Sequence, residues 1–379
     1  MIKLITSESC AFGHPDKIAD QISDALLDAF LEKDPNTKAG IEVMVKDNCV
    51  VLGGEIKTDA NIDYHTVVKK AVKEIGFSKE HGFNEDIITI INLIGKQSPE
   101  INKAVELSDD NITAGDQGFM VGYATNETPN YMPLGMYIAK LIVDWVVEQA
   151  YFGNDAKSQI TIEEDTITGK KRIHTILVST IHSEFVELEI VRDFIEKNIL
   201  SNSMFLDDKT FNMIDKNTKI VVNPAGRWTV GGPVSDAGLT GRKIIVDQYG
   251  AYTPVGGGAF SGKDASKVDR SGAYLCRYIA KNIVKSGITN RCKIELAYMI
   301  GIAEPASINI DTYGEGDEEL LLRIIKELFP LTPSEIINHF GLNRPIYYQT
   351  ARYGHFGLPN RPWEETDLSE KIRHLYTEA

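Results

Sequence analysis

Residues 15–56 read PDKIADQISDALLDAFLEKDPNTKAGIEVMVKDNCVVLGGEI, and this stretch sets the pattern for the rest of the chain. Apolar side chains recur at every fourth position from Ile18 to Phe30, directly after Pro15, and this spacing predicts a helix with one buried face. Apolar and polar residues then alternate over 41–45 and again over 50–56, which predicts two strands joined by a tight turn. The stretch therefore encodes a helix followed by a β-hairpin.

The same order of elements, closed by a second helix, recurs three times although the residues themselves differ between the copies. In the first copy the closing helix has its apolar stripe at 67–75 and stops at Gly76, a residue typical of helix ends. The hairpin begins 25 or 26 residues after the helix, and the paired starting residues are Asp16 and Ile41, Leu134 and Ile160, and Val268 and Lys293. Such an internal repeat predicts three related α+β units. The alternative is a chance alternation of helices and hairpins.

The composition is that of a globular protein without a membrane segment. Apolar residues make up 42% of the 379-residue chain, charged residues make up 25%, and no apolar run reaches the thickness of a bilayer. The formal net charge of -14, with no basic face, argues against nucleic acid and membrane as partners. Four cysteines without a CxxC spacing, and an N-terminus without a signal-peptide core, predict a soluble cytoplasmic protein with free thiols.

Glycines and cations are concentrated between Gly226 and Arg270, where ten of the 31 glycines lie beside six cationic side chains. Within this region residues 257–263 satisfy the phosphate-loop pattern G-x-x-x-x-G-K. The Walker A interpretation fails, because Asp264 stands where a Ser or Thr hydroxyl is needed and the preceding residues do not read as a buried strand. Glycine amides and Lys263 are still suited to binding a phosphate chain, so we predict a nucleotide-binding site without assigning it to a class. The alternative is a simple turn.

Carboxylates stand at two equivalent helix starts. A proline suits the first helical position and leaves His14 and Asp16 at the positive end of the first helix, and Asp269 occupies the matching place in the third copy. Two carboxylates, phosphate oxygens and water would complete the octahedral shell of Mg²⁺. On the first hairpin, Glu42 and Glu55 are expected on one face, where they suit a cation or an ammonium group. The plainer alternatives are that Asp16 belongs to an ordinary acidic first turn of a helix, and that Glu42 and Glu55 lie on a solvated face of the sheet.

Six segments together resemble the S-adenosylmethionine synthetase, or methionine adenosyltransferase, family. They are Gly13 to Asp20, Gly115 to Gly118, Asp155 to Gln159, Gly231 to Pro233, Gly238 to Lys243 and Gly256 to Arg270. The resemblance spans nearly the whole chain and implies three similar α+β domains of mixed or antiparallel sheet plus helices around a pseudo-threefold axis. We place the repeat units at 1–100, 110–229 and 230–379. The resemblance also implies a homodimer or homotetramer whose active sites lie between facing subunits.

The resemblance further implies a reaction between ATP and L-methionine. The methionine sulfur would attack C5′ of ATP and expel tripolyphosphate, which the same site then cleaves to phosphate and diphosphate. Mg²⁺, as a pair of ions in each site, and K⁺ are the implied cofactors. Because the thioether is already a neutral nucleophile, such a site needs alignment and charge stabilisation rather than a general base.

By resemblance, individual residues have expected roles in this reaction. The residues expected to act on the phosphates and on the breaking bond are His14, Lys157, Arg242, Lys243 and Lys263. The remaining ATP contacts are expected from Asp155, Ala156, Arg227, Trp228, Asp236 and Ala259. Methionine would be held by Glu55, Gln97, Asp236 and Lys267, Mg²⁺ by Asp16 and Asp269, and K⁺ by Glu42. Residues 95–108 resemble the mobile gate of the family.

The chain departs from the family pattern at two places in the expected site. Cys10-Ala11-Phe12 stands where relatives usually have Val-Ser-Glu, and Ile181 stands where they usually have Gln. Both changes remove a polar group, and we expect them to reshape the methionine pocket or weaken turnover. The sequence leaves two other functions open: a phosphotransferase or ATPase that releases ADP, and a catalytically silent sensor of adenosine nucleotides.

Overall fold

The structure, a computed structural model, describes residues 1–77, 82–97, 106–108, 111–201 and 206–379. It confirms the α+β class, because three main sheets pack against helices. In chain order the strands are β1 (Ile2–Cys10), β2 (Lys38–Lys46), β3 (Cys49–Lys57), β4 (Thr89–Asn92), β5 (Gly95–Lys96), β6 (Glu106–Ser108), β7 (Asn111–Ile112), β8 (Gly118–Thr125), β9 (Phe152–Asp165), β10 (Lys171–His182), β11 (Lys219–Val222), β12 (Gly238–Leu239), β13 (Arg291–Tyr298) and β14 (Ser307–Asp311). The helices are α1 (Pro15–Leu31), α2 (Tyr64–Ile75), α3 (Leu134–Val147), α4 (Leu188–Ser201), α5 (Asp208–Phe211), α6 (Val268–Ser286), α7 (Glu318–Leu328), α8 (Pro333–Phe340), α9 (Tyr348–Tyr353) and α10 (Ser369–Glu378).

The predicted repeat of helix, hairpin and helix is present in three copies. They are α1–β2–β3–α2, α3–β9–β10–α4 and α6–β13–β14–α7. Helices α2 and α6 end at Gly76 and Gly287, whose φ angles of 82° and 84° lie in the left-handed region that glycine adopts without strain. Strand β9 begins at Phe152, earlier than the predicted Ile160. The first half of β9 carries polar residues, so the sequence there lacks the apolar–polar alternation typical of a strand. Pairing with both β1 and β10 keeps this half extended.

In each main sheet, the hairpin of one copy pairs with a strand that precedes a different copy. Strand β1 precedes the first copy yet pairs with β9 of the second, in a register that ends with Cys10 opposite Lys157. Strand β8 precedes the second copy and pairs with β13 of the third, and β12 precedes the third copy and pairs with β2 of the first. This cyclic exchange links the three domains into a ring, which is the pseudo-threefold arrangement that the resemblance implies.

Helix α6 lies at the centre of the larger core, and nearly all of its residues are buried, including Arg270 and Arg277. Each guanidinium has a carboxylate partner. Arg270 Nη1 lies 2.7 Å from Asp24 Oδ1, and Arg277 Nε lies 2.9 Å from Glu364 Oε1. These pairs spare the core the large cost of an unpaired buried charge. A second, smaller core joins α3 to β9 and β10.

Across the described ranges, no helix is both long enough and apolar enough to cross a bilayer.

Candidate functional site

The start of α1 is built as its sequence predicts. Pro15 occupies the first helical position, and His14 caps the helix in an extended conformation, with its Nδ1 accepting from the Asp16 amide N–H at 3.1 Å. Strand β12 lies directly against this turn, since a Cβ atom on Gly238 would come within 2.0 Å of the Pro15 carbonyl oxygen. Only glycine allows this close approach, so β12 can reach the helix end.

Asp16 is the centre of a group of charged residues at the helix start. We call this group the α1 cluster: His14, Asp16, Lys157, Arg242 and Lys243. Asp16 Oδ1 accepts from the Leu239 amide N–H at 3.0 Å, and its Oδ2 accepts from Lys243 Nζ at 2.5 Å. Arg242 Nε lies 3.9 Å from Oδ1. Burial opposes ionisation of this carboxyl, but Lys243 and the Leu239 amide outweigh it and hold the pKa of Asp16 below its usual value.

His14 is held as a neutral imidazole. Burial first, and then the positive charges of Lys243 and Lys157, lower its pKa well below the usual value. Because Nδ1 accepts from the Asp16 amide, the ring hydrogen lies on Nε2. The α1 cluster therefore offers a neutral hydrogen-bond donor beside cationic side chains.

Strand exchange is what brings Lys157 to this cluster. Lys157 on β9 lies opposite Cys10, the last residue of β1. The pairing continues past the end of β1, with the Ala11 amide N–H donating to the Ala156 carbonyl oxygen at 2.9 Å. The chain then turns into α1, so the exposed Lys157 lies close enough to His14 to shift its pKa.

Asp155 has one hydrogen-bonded and one unsatisfied carboxylate oxygen. Its Oδ2 accepts from the Gly232 amide N–H at 2.8 Å, whereas its buried Oδ1 has no partner among the described residues. Burial raises the pKa of this carboxyl to about 6, although the Gly232 amide and Lys157 oppose the rise. Ile181 packs beside it, since a Cβ atom on Gly231 would lie 2.5 Å from Ile181 Cγ2 and 3.1 Å from Asp155 Cβ. The apolar residue at 181 thus lies near a carboxyl group that has one oxygen without a donor.

Three further residues expected to contact ATP, Arg227, Trp228 and Asp236, lie on the segment between β11 and β12. Trp228 is partly buried, and its indole Nε1 donates to the Val230 carbonyl oxygen at 2.7 Å, which fixes the ring. Arg227 donates to the Glu184 carbonyl oxygen, and Asp236 is exposed. The indole is therefore held in one orientation, on the same segment as the charged Arg227 and Asp236.

A second group of charged residues surrounds the start of α6. We call it the α6 cluster: Glu42, Lys263, Asp264, Lys267 and Asp269. Lys263 Nζ lies 2.6 Å from Asp269 Oδ2, and Lys267 Nζ lies 2.6 Å from Asp264 Oδ2. Burial opposes ionisation of Asp264, but Lys267 outweighs it and holds the pKa of Asp264 below its usual value. Partial desolvation raises the pKa of Glu42, and the charge of Lys263 opposes that rise.

The end of the first hairpin joins Glu55 and Gln97 to the α6 cluster. Gly40 on β2 lies opposite Glu55 on β3 and also forms a bridge with Lys263. The Gln97 amide N–H extends the same edge by donating to a β3 carbonyl oxygen at 3.1 Å. The register confirms that Glu42 and Glu55 share one face of the hairpin, where both are exposed.

Within one chain the predicted site residues form two groups, one at the start of α1 and one at the start of α6. The α1 cluster adjoins Asp155, on which the charges of Lys157 and Lys243 act, and the α6 cluster adjoins Glu55 and Gln97, which are expected to bind methionine. The two groups approach each other at Gly241, where a Cβ atom would lie 2.6 Å from Ala259 Cβ. Of the predicted gate, residues 98–105 lie outside the described residues.

The carboxylates present fit the donor set of Mg²⁺. Asp16 and Asp269 are hard oxygen donors, and each already contacts a lysine, at 2.5 Å and 2.6 Å. A Cβ atom on Gly258 would lie 2.1 Å from Asp269 Cγ, so the glycine loop forms a cradle around this carboxylate. Within the described residues no three acidic, His or Cys side chains converge as a complete metal shell. Mg²⁺ is commonly held by one or two carboxylates, with phosphate oxygens and water completing its coordination.

Sequence reasoning missed a buried charge network behind the α1 cluster. Lys17 Nζ lies 3.0 Å from Asp20 Oδ2 and 2.7 Å from Asp247 Oδ1, and all three side chains are buried. Asp20 Oδ1 also accepts from the Gly241 amide N–H at 2.9 Å, which ties the loop that carries the cluster's cations to α1. The sequence offered one signal of this network, because charged residues lie directly beside the apolar stripe of the predicted helix.

Comparison with known proteins gives concordant matches along the whole chain. Family models described as the N-terminal, central and C-terminal domains of S-adenosylmethionine synthetase match residues 2–99, 111–228 and 230–365. An S-adenosylmethionine synthase of Clostridium tetani (strain Massachusetts / E88) is 45% identical over 396 aligned positions, covering 99% of this chain and 100% of that protein. Among solved structures, an unusual S-adenosylmethionine synthetase from Campylobacter jejuni superposes with a TM-score of 0.89 at 37% identity, covering 98% of this chain and 99% of that one.

Proposed function

This chain belongs to the S-adenosylmethionine synthetase family, and on that premise we propose that it forms S-adenosylmethionine from ATP and L-methionine by one displacement at C5′. Relatives of matching length identify it as a methionine adenosyltransferase. The observation that best supports the proposed mechanism is the α1 cluster. There a neutral His14, an ion-paired Asp16 and cationic side chains converge at a helix N-terminus.

In the proposed step the methionine sulfur uses a lone pair to bond to C5′, while the C5′–O bond breaks and its electrons leave with tripolyphosphate. The sulfur carries no proton, so the step requires no base. The oxygen that gains charge is stabilised by Lys157 and by the Nε2–H of His14. Lys243 and Lys263 hold the phosphates, which also keeps tripolyphosphate in place for hydrolysis. In that step water bonds to one phosphorus, a P–O–P bond breaks, and phosphate and diphosphate form.

Asp16 and Asp269 would hold the two Mg²⁺ ions of the proposed site, and Glu42 would hold K⁺. When bound, Mg²⁺ supplies positive charge that offsets the charge of the phosphate oxygens. Lys243 and Lys263 each lie on one of these carboxylates and can transfer their hydrogen bonds to phosphate oxygens. The cations are thus already gathered where the triphosphate is expected.

Methionine is proposed to lie beside the α6 cluster. Glu55 and Asp236 would accept from its ammonium group, and Lys267 would donate to its carboxylate. Gln97 Oε1 is buried without a hydrogen-bond partner among the described residues, which supports a ligand contact at this position. Glu55 and Gln97 lie at the same end of the first hairpin, as a shared pocket requires.

An open apolar face supports the proposed association of subunits. Met44, Ile91 and Leu239 are 41%, 43% and 37% exposed and lie on the face of the sheet that carries Glu42 and Glu55. Contiguous exposed apolar side chains around polar groups are typical of protein interfaces. We propose that a second copy covers this face, as a dimer or within a tetramer. The α1 cluster of one subunit and the α6 cluster of another would then complete each site.

The departure at Phe12 has its described contacts away from the expected methionine residues. The Arg352 guanidinium lies over its ring, with Cζ 4.4 Å from the ring centroid. The Phe12 carbonyl oxygen accepts from Gln21 Nε2 at 2.6 Å. We therefore propose that Phe12 acts by packing the start of α1 against the C-terminal segment.

Product analysis tests the proposed function. Incubation with ATP, L-methionine, Mg²⁺ and K⁺ is expected to yield S-adenosylmethionine, with phosphate and diphosphate in equal amounts. Mass spectrometry and ion chromatography would measure these products. ADP as the main product would instead identify a phosphotransferase or ATPase. ATP that is bound but left unchanged would identify a nucleotide sensor.

The departure at Ile181 predicts an unusual dependence of activity on pH. The pKa of Asp155 is raised to about 6, so its carboxylate is present above that pH and is lost as the pH falls through it. We expect kcat/KM for ATP to fall as the pH is lowered through this pKa, because a protonated Asp155 has lost an acceptor for adenosine. Ile181→Gln places an amide donor near the Asp155 carboxyl group and should shift the inflection to lower pH.

Ile181→Met is the matched control, because it fills a similar volume without providing a donor. The pH profile of kcat/KM, measured for the wild type and both variants, checks the prediction. An inflection that stays in place in Ile181→Gln would contradict the assignment to Asp155.

A further inference from the structure

Four aspartates follow one another along helix α1 at intervals of four residues. We call them the aspartate row: Asp16, Asp20, Asp24 and Asp28. Residues at this spacing lie one above the other on the same face of a helix. The first three are buried and the fourth is partly buried. Like charges four residues apart destabilise an isolated helix, and burial adds to that cost, so the partners of the row must offset it.

Every carboxylate of the row accepts a hydrogen bond from a main-chain amide of a segment far away in the sequence. In the order of the row, these amides belong to Leu239 at 3.0 Å, Gly241 at 2.9 Å, Gly262 at 2.8 Å and Tyr348 at 2.8 Å. The first three lie in the two segments that carry expected phosphate-binding cations, residues 238–243 and the glycine loop 257–263. The row therefore attaches both cation-bearing segments to α1.

Asp20 holds the segment that carries the loop cations of the α1 cluster. Its Oδ1 accepts from the Gly241 amide, and its Oδ2 accepts from Lys17 Nζ at 3.0 Å. Lys17 has a second partner in Asp247, so its charge is not matched by Asp20 alone. The Asp20 side chain has 0% exposure and therefore does not contact a substrate. Its influence on the reaction must pass through the position of the segment that it holds.

Asp24 holds the glycine loop in a similar way, one helical turn further along α1. Its Oδ1 accepts from the Gly262 amide at 2.8 Å and from Arg270 Nη1 at 2.7 Å, and its Oδ2 accepts from Arg270 Nη2 at 2.8 Å. Arg270 Nη1 also donates to the Lys263 carbonyl oxygen at 3.0 Å. The pair of Asp24 and Arg270 thus holds the main chain from the Gly262 amide to the Lys263 carbonyl. Both side chains are buried, so this pair also acts from behind the site.

We propose that Asp20 and Asp24 are positioning residues, which place the two cation-bearing segments for the proposed reaction. The inference rests on the proposed function, in which Lys243 and Lys263 hold tripolyphosphate until it is hydrolysed. Four residues of helix cover about 6 Å along the axis, so α1 fixes the separation of the two points of attachment. A buried helix is suited to this task, because a displacement of about 1 Å in a catalytic site can cost about a hundredfold in rate.

The fate of tripolyphosphate provides the test. If a segment loses its attachment to α1, its lysine holds tripolyphosphate less well, and more of it escapes before hydrolysis. The escape ratio, which we define as intact tripolyphosphate released per S-adenosylmethionine formed, measures this loss. Because both products come from the same active molecules, the ratio does not depend on the fraction of the protein that is folded. Ion chromatography and mass spectrometry would measure it.

Two variants of Asp20 test the contact with the Gly241 amide. Asp20→Ala removes the acceptor and should raise the escape ratio at least about fivefold, the factor expected for one lost hydrogen bond. Asp20→Asn is the conservative variant. Its side-chain oxygen can stay on the Gly241 amide, because Lys17 still pairs with Asp247. We therefore expect the escape ratio of Asp20→Asn to lie closer to that of the wild type than to that of Asp20→Ala.

Asp28→Ala is the matched control. It makes the same change in the same row of α1, but the Asp28 carboxylate accepts from the amides of Tyr347 and Tyr348 instead of from either cation-bearing segment. We expect this variant to keep the escape ratio of the wild type even where its melting temperature is lower.

Asp24 is tested together with Arg270, because removing one partner alone would leave a buried charge unpaired. Asp24→Leu combined with Arg270→Met replaces the pair with apolar side chains, a change that proteins with buried ion pairs often tolerate. The Gly262 amide and the Lys263 carbonyl then lose their partners, and the escape ratio should again rise at least about fivefold. Circular dichroism melting would verify folding, and if one of these variants does not fold, the Asp20 or the Asp24 result that remains decides.

The positioning role is overturned if folded Asp20→Ala and the folded double variant have the same escape ratio as Asp28→Ala. An escape ratio in Asp20→Asn as high as in Asp20→Ala would contradict the role of the Gly241 contact. These results differ from a failure of the proposed function, in which the wild type itself forms no S-adenosylmethionine.

Discussion

Lys157→Met is expected to lower kcat for S-adenosylmethionine formation by on the order of a hundredfold or more, while ATP still binds. Met has a similar length and removes only the ammonium group. Lys157 lies on β9 opposite the end of β1, and its charge reaches His14 at the helix start. From this position it can stabilise the oxygen that gains charge as the C5′–O bond breaks. Single-turnover rates and equilibrium ATP binding would separate the two effects.

The matched control for this variant is Lys170→Met. Lys170 is exposed at the opposite end of the same hairpin, in the turn after β9, so the substitution removes an equal charge far from the site. We expect its kcat to stay within about twofold of wild type, as for most surface substitutions. Equal turnover in the Lys157 and Lys170 variants would refute the proposed role of Lys157.

A spectroscopic measurement can test the placement of Lys157 without turnover. The charge of Lys157 is one of the causes that lower the pKa of His14, after burial and Lys243. Removing that charge should therefore raise the pKa of His14, although burial still keeps it below the usual value. An NMR titration of the His14 ring would measure the shift. A His14 pKa that does not move would mean that the two side chains are farther apart than the β1–β9 register indicates.

Local features of this fold could be predicted from the sequence because their causes are local. The four-residue spacing after Pro15 reflects helix geometry, and Gly76 ends α2 because it adopts a positive φ. Asp16 and Asp269 could be placed at equivalent helix starts for the same reason. Hairpin register followed from alternation, so the shared face of Glu42 and its neighbours on β3 was also predictable.

Features that depend on distant pairing could not be predicted. No pattern within residues 2–10 indicates that β1 joins the second sheet, yet this exchange is what places Lys157 beside His14. The buried pairing of Lys17 with Asp247 joins positions 230 residues apart, and the helical pattern alone left Lys17 without a partner. The approach of Gly231 to both Ile181 and Asp155 likewise arises only when the segment before β12 packs against the β9–β10 hairpin.

Gly258→Ala is expected to reduce kcat/KM on the order of a hundredfold by moving the Asp269 carboxylate. A Cβ atom at this position would lie 2.1 Å from Asp269 Cγ and 2.2 Å from its Oδ2, far inside contact distance. Helix α6 is buried on nearly all sides, so the carboxylate or the loop must move instead of the helix. A displacement of about 1 Å in a catalytic site can cost about a hundredfold in rate.

The adjacent Gly257 makes this test specific. A Cβ atom on Gly257 meets no heavy atom within 4 Å, so Gly257→Ala makes the same chemical change in the same loop without touching Asp269. If Asp269 holds Mg²⁺, Gly258→Ala should also raise the Mg²⁺ concentration needed for half-maximal activity, whereas Gly257→Ala should not. A purely structural effect of the loop would instead lower activity at all Mg²⁺ concentrations alike. Kinetics as a function of Mg²⁺, with melting curves for both variants, would therefore distinguish loss of a metal ligand from loss of loop structure. Matching Mg²⁺ dependence in the two variants would exclude Asp269 as a ligand.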